Sequence, residues 1–210
     1  MKMFITKLLS LVLLATIIGC SVRKTEVSES EDNALIKDLY LKDIEIRELD
    51  AKTDTVNLEA YDKKHREKIF HLLAENKVVT VKDKIRAAWI LQHTAAKFCD
   101  GKLNSISAEN FLLAYKLSST ALFELRKKND SVTIKEQNIP RIVALNYDRY
   151  LLFTFGYQKF GTQFVFDDQT GEMLLAPIDT TLSNDMQRKE YNVEPLNVLL
   201  KKNKMKTNPK

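Results

Sequence analysis

PRIVALNYDRYLLFTFG, residues 140–156, decides the fold class. Pro140 suits the first turn of a helix, where its missing N–H costs nothing, and Asn138 stands nearby as a cap. Ile142, Val143, Ala144, Leu145, Tyr147, Tyr150, Leu151, Leu152, Phe153 and Phe155 cover most of the circumference. Such a helix is buried on nearly every side, and Gly156 is a natural stop. The period then changes. TQFVFDDQTGEMLLA, residues 162–176, reads as strand, turn and return strand, with Asp167 to Gly171 supplying turn chemistry. Alternation puts Thr162, Phe164 and Phe166 on one face and Gln163 and Val165 on the other.

Upstream, helical spacing recurs. Leu35, Leu39, Ile46 and Leu49 mark a helix over Asn33 to Asp50, and Leu58, Tyr61, Ile69, Leu72 and Leu73 a second over Asn57 to Asn76. A third is predicted over Asp83 to Phe98. A fourth runs from the cap Ser107 to Lys128, with Phe111, Tyr115, Leu122 and Leu125 as its stripe. Two short helices are expected downstream, Ser183 to Tyr191 and Pro195 to Lys201. The expected class is mainly α: a single helical domain with a small C-terminal β-hairpin. Its parts are an N-terminal helix over 33–54, a helical domain over 55–203 with the hairpin near 160–177, and a disordered tail over 204–210.

Polar residues on the two greasiest helices are candidates for chemistry. The helix over Asp83 to Phe98 is apolar nearly all round, yet carries Gln92 and His93 beside Ile85 and Trp89. Burying an amide and an imidazole without partners costs a few kcal/mol, so they are hydrogen-bonded or open into a pocket. Asp148 and Arg149 interrupt the second helix. Gln158, Thr162 and Gln163 crowd the bend between helix and strand. Trp89 reads as core. Asp62, His65 and Arg66 lie on an otherwise polar helix, where a solvated face is expected for His65.

The first twenty residues give an address. Lys2 and Lys7 precede an apolar run from Leu8 to Ile18, about eleven residues, against roughly 20 for a membrane-spanning helix. The run ends Ile17-Ile18-Gly19-Cys20. It resembles a bacterial lipoprotein signal over 1–19. The resemblance implies diacylglycerol on the Cys20 sulfur, cleavage after Gly19, and acylation, commonly by palmitate, of the new amine. Several acyl chains anchor durably where one does not. Residues 20–32 are polar and read as a flexible tether. In enterobacterial lipoproteins an aspartate after the cysteine favours the inner membrane; Ser21 here leans toward the outer one. The expected location is therefore the bacterial cell envelope, held to the membrane through Cys20.

Composition excludes several classes. Two of the five net positive charges lie in the signal, leaving about 190 residues near +3, too mild to argue for nucleic acid. Once Cys20 is lipidated, Cys99 is the last thiol, so no disulfide forms within one chain. His65, His71 and His93 show no metal-binding spacing, and no glycine-rich phosphate loop is present. Neither a cofactor nor a metal is expected, and no protein partner is indicated.

Asp62 with Arg66, Gln92-His93, Asp148-Arg149, Gly156, and Gln158 to Gln163 together resemble a bacterial family of uncharacterised activity, domain of unknown function 6624. Ala176-Pro-Ile-Asp179, Arg188, and Val193-Glu-Pro-Leu196 resemble its tail. The likeness covers roughly Leu58 to Leu200. Phe160 stands where that family usually has tyrosine, so any role of that hydroxyl is lost here. The resemblance implies a shared fold and site, and no reaction. Three functions are expected to compete. In an enzyme, His93 would be the general acid or base, Arg149 would hold an anionic group, Asp148 would orient one of them, and Gln92, Gln158, Thr162 and Gln163 would position substrate. In a binding module the same residues hold a small anionic ligand. In a structural or partner-binding module they form one satisfied buried network.

Overall fold

The computed structural model describes residues 31–99, 102–105, 107–168 and 170–205. The signal over 1–19, Cys20 and most of the expected tether lie outside them, as do residues 206–210 of the expected tail. The protein is mainly helical, with a small antiparallel hairpin near the C-terminus. In chain order the elements are α1 (Ala34–Thr53), α2 (Leu58–Ala74), α3 (Val81–Gln92), β1 (Ala96–Cys99), β2 (Lys102–Ser105), α4 (Ala108–Lys127), α5 (Ser131–Glu136), α6 (Ile139–Phe155), β3 (Phe164–Asp167), β4 (Glu172–Leu175), α7 (Asp185–Glu190) and α8 (Leu196–Lys202).

α3 is the hub. It packs on α1, α2 and α4, and α4 in turn packs on α6. Ala87 and Ala88 on α3, and Ala114, Ser118 and Ala121 on α4, are fully buried and small, so the two backbones approach closely. Around them Ile36, Leu39, Ile69, Leu72, Ile90 and Leu91 form one core cluster. Ile85, Leu122, Leu125, Ile139, Ile142 and Val143 form a second. The α3 start is set by a capping box, in which Thr80 accepts from the Asp83 amide while Asp83 accepts from the Thr80 amide. α6 carries proline in its first turn and stops at Gly156, whose φ of +81° and amide bond to the Leu152 carbonyl close the helix.

Two elements depart from expectation. The helix predicted over Asp83 to Phe98 ends at Gln92. Residues 96–99 instead pair with 102–105 in a second hairpin, with Ala96 opposite Ser105 and Cys99 opposite Lys102. The reason lies in three carbonyls. Arg149 donates to the Gln92 carbonyl at 2.7 Å, Arg66 donates to the His93 carbonyl, and the Thr94 hydroxyl takes the Leu91 carbonyl at 2.9 Å. These acceptors would otherwise serve the next helical turn. The other departure is α5, a short helix capped by Asp130 that composition alone did not mark.

The C-terminal hairpin pairs Phe164 with Leu175 and Asp167 with Glu172. Val165 is its buried face, while Phe164 and Phe166 point outward. Gln158 adds a parallel bridge to Ile178, and Leu175 adds one to Met205. α7 is fixed by Arg188, almost wholly buried, which donates from Nε to the Glu194 carbonyl at 2.8 Å. No helix among the described residues is long and apolar enough to cross a membrane.

Gly156 and Gly161 both sit near φ +80°, but their surroundings differ. A Cβ at Gly156 would meet nothing within 4 Å, whereas one at Gly161 would lie 2.4 Å from Leu199 Cδ2 and 2.9 Å from Ile178 Cδ1. Gly156→Ala should therefore cost about 1 kcal/mol of backbone strain alone, lowering the melting temperature by roughly 2–4 °C. Gly161→Ala adds overpacking of about 1–3 kcal/mol and should fall clearly further in the same calorimetric scan.

Candidate functional site

Two polar clusters lie back to back where α3, α6 and the 156–163 bend meet. The first is built on Asp148, fully buried on α6. Its Oδ1 accepts from the amides of Lys159 and Phe160, each at 2.8 Å, and its Oδ2 accepts from the Thr162 amide at 3.0 Å and hydroxyl at 2.9 Å. Burial holds this carboxyl above the usual range, and the four donors offset that only in part. Gln158, also fully buried, spans the bend. Its Nε2 donates to the carbonyls of Gln163 and Ala176, and its Oε1 accepts from the Gln163 amide. Among the described residues Asp148 makes no hydrogen bond or ion pair with His93 or Arg149, so its hold on Arg149 runs through the loop. Gln158 is likewise spent on backbone.

The second cluster faces α1 and α2. Arg149 donates from Nε to Gln163 Oε1 at 3.1 Å and from Nη1 to the Gln92 carbonyl at 2.7 Å. Both partners are neutral. Among the described residues no carboxylate pairs with this guanidinium, and Nη2 makes no hydrogen bond. Burial, then the nearby Arg47 charge, push its pKa down to about 10. Gln163 is held in place from behind, because its Nε2 donates to Thr162 Oγ1 at 2.9 Å. Asp148, Thr162, Gln163 and Arg149 thus form one chain of support. Gln92 contributes its carbonyl, while its buried Oε1 has no partner.

His93 follows α3 as its C-terminal cap. Its Nδ1 lies 3.0 Å from Asp43 Oδ2 and 3.1 Å from Arg47 Nε. A proton on Nδ1 is donated to Asp43; without it, Nδ1 accepts from Arg47. Nε2 has no protein partner among the described residues. Arg47 also donates to Asp43 Oδ1 at 3.2 Å and Asp62 Oδ1 at 2.6 Å. The two carboxyls are driven apart. For Asp43, burial works upward, but His93 and Arg47 hold it below the usual range; for Asp62, burial wins and raises it. Asp43, Asp62 and His93 place ligand atoms within 4.8 Å of one another, a spacing that suits a small cation. Arg47 donates to all three, so a positive group already lies across them.

The bend and the two helix ends therefore bring Arg149, Gln163 and the Gln92 carbonyl together, with His93 next to Gln92 in the chain and its ring Nδ1 against Asp43 and Arg47. Asp148, Gln158 and Thr162 stand behind them. The sequence reading missed Asp43 and Arg47, and placed Asp62 and Arg66 on a polar helix and in the family resemblance without marking them as buried. Their signal was positional: Asp43 continues the stripe of Ile36 and Leu39 on α1, and Asp62, His65 and Arg66 share a stripe with Ile69 and Leu72 on α2. His65 is accordingly not solvated but 4 % exposed, its ring 4.1 Å from that of Tyr61. Trp89 is half-buried and lines a cavity. No protein-family model, curated protein or solved structure matches the chain.

His65 gives the fold a pH dependence. Burial lowers its pKa, and its Nδ1 is sealed without a partner. The unfolded chain takes up the proton near pH 6.5 and the folded chain only below that. The stabilising contribution is full above the unfolded value and is lost as pH falls through the folded one. Stability measured by thermal melts from pH 7 to 5 should thus fall less in His65→Phe than in the unaltered chain.

Proposed function

We propose that the chain is a bacterial envelope lipoprotein, anchored through lipid on Cys20 with a lean toward the outer membrane, whose domain binds a small anionic ligand at Arg149. One observation carries the ligand reading: a half-buried guanidinium whose partners are both neutral. The α3 C-terminus offers some compensation, about half a unit of negative charge shared with Arg66, short of a full carboxylate. A phosphate or carboxylate would complete the balance, taking the unbonded Nη2 and the outer side of Arg47, which is 29 % exposed.

His93 gives this site a means of moving a proton. Its Nδ1 has a donor on one side and an acceptor on the other, so a change at Nε2 is answered inside the protein by Arg47 or Asp43. That supports acid–base work on the bound anion, with Arg149 as its holder. The likeness of Gln92-His93, Asp148-Arg149 and 156–163 to domain of unknown function 6624 belongs to the same proposal.

A second reading is favoured by the Asp148 and Gln158 bonds, which are complete without any ligand: a structural or partner-binding module whose polar residues form a buried network. Arg149→Gln separates the two. At a ligand site, removing an uncompensated charge leaves the melting temperature unchanged or raised, while calorimetric affinity for inorganic phosphate falls by about tenfold or more. In a closed network the same change lowers the melting temperature by several degrees, and phosphate does not bind the unaltered chain. For the anchor, Cys20→Ala should release the protein from the membrane fraction and abolish palmitate labelling.

A further inference from the structure

A cavity of about 490 Å³ opens between α1, α3 and α6. This is a volume ordinary for small-molecule sites. Its apolar lining is Tyr40, Ile85, Trp89, Ile142 and Leu145, with Gln137 and Asn138 at the α6 start adding amide groups. Each helix that lines it continues into the Arg149 cluster. On α3 Trp89 is followed one turn later by His93, the rings 6.4 Å apart. On α6 Leu145 is followed one turn later by Arg149, and on α1 Tyr40 is followed by Asp43 and Arg47. Gln163 spans the junction, with Nε2 3.5 Å from the Leu145 carbonyl and Oε1 bound to Arg149. The cavity and the charged cluster are therefore built on successive turns of the same three helices.

Lys82, Arg86 and Arg141 rim the same cavity. They do not compete for the charged end of a ligand on equal terms. Lys82 and Arg86 share Asp32, at 3.5 and 3.4 Å, and Arg141 is exposed and donates to the Asn192 carbonyl. Exposed or already paired cations add little to binding. Arg149 has no carboxylate, and its surroundings screen less.

We infer that the ligand is an amphipathic anion, with its apolar body against Trp89, Ile142 and Leu145 and its phosphate or carboxylate head at Arg149. The inference rests on reading Arg149 as an anion site. Burial of apolar surface in the cavity supplies affinity, and the guanidinium fixes the orientation.

Trp89 is the single tryptophan of the chain, so its emission reports on the cavity directly. The full chain is titrated with octyl phosphate, inorganic phosphate and octanol, following Trp89 fluorescence and heat. Octyl phosphate should bind about tenfold or more tighter than either of the others, with a saturable change in Trp89 emission. Leu145→Phe, which narrows the cavity, should weaken octyl phosphate by about fivefold or more and leave inorganic phosphate within about twofold. Equal binding of octyl phosphate and inorganic phosphate, both lost in Arg149→Gln, would overturn the apolar half and leave the anion site standing. Octanol binding as tightly as octyl phosphate would overturn the placement of the head at Arg149. No Arg149-dependent binding of either phosphate would bring down the underlying reading as well. Where a variant fails to fold, the ligand series on the unaltered chain still decides the apolar half and the need for a charged head, and binding of neither phosphate to it would bring down the underlying reading.

Discussion

The carboxylate of Asp148 is the constraint on which the site depends. A buried carboxylate is costly unless its oxygens are occupied, and four donors from a stretch of four residues occupy these. The bend after α6 is thereby wrapped around one side chain. Thr162 both donates to Asp148 and accepts from Gln163, and Gln163 holds Arg149. Through these links a loop conformation becomes the position of a guanidinium. Gly161, at φ +79° where a Cβ would collide with Leu199 and Ile178, allows the chain to make that wrap.

Arginines also decide where α3 ends. Helix termini leave carbonyls without partners, and a cation there is favoured by the helix dipole. Here Arg149 from α6 and Arg66 from α2 take successive carbonyls, those of Gln92 and His93. The two helices are tied to the hub at the very point where His93 is presented. Secondary structure and site are one arrangement: the residue that terminates the helix is also the one set against Asp43 and Arg47.

Much of the fold was legible because local signals agreed with tertiary packing. α6 read correctly from Pro140 to Gly156, since proline and glycine act on the backbone wherever the chain goes. The C-terminal hairpin read from its turn chemistry for the same reason. α3 was read too long because Ala95, Ala96 and Phe98 continue an apolar pattern, while its terminators stand 27 and 57 residues away in sequence. Gln92, His93, Arg149 and Gln163 were visible as polar groups on apolar elements. Arg47 was not, because a charged residue on a charged helix carries no anomaly. The burial of Asp62, His65 and Arg66 was hidden for the same reason, although their spacing runs on from Ile69 and Leu72. Local polarity says what a residue is; only the partner across the fold says whether it is wet.

Asp32 stands two residues before α1, yet it is held by α3. It accepts from the Thr80 hydroxyl at 2.9 Å and lies against Arg86 and Lys82, while the Asn33 amide donates to Asp83. The chain thus enters the domain clipped to the hub, not to the helix it is about to start. Tension applied upstream of residue 32 runs into α3 and the alanine-lined interface behind it. The first turn of α1, which carries Ile36 and leads on to Asp43 and Arg47, would be reached by such a pull only after these bonds gave way.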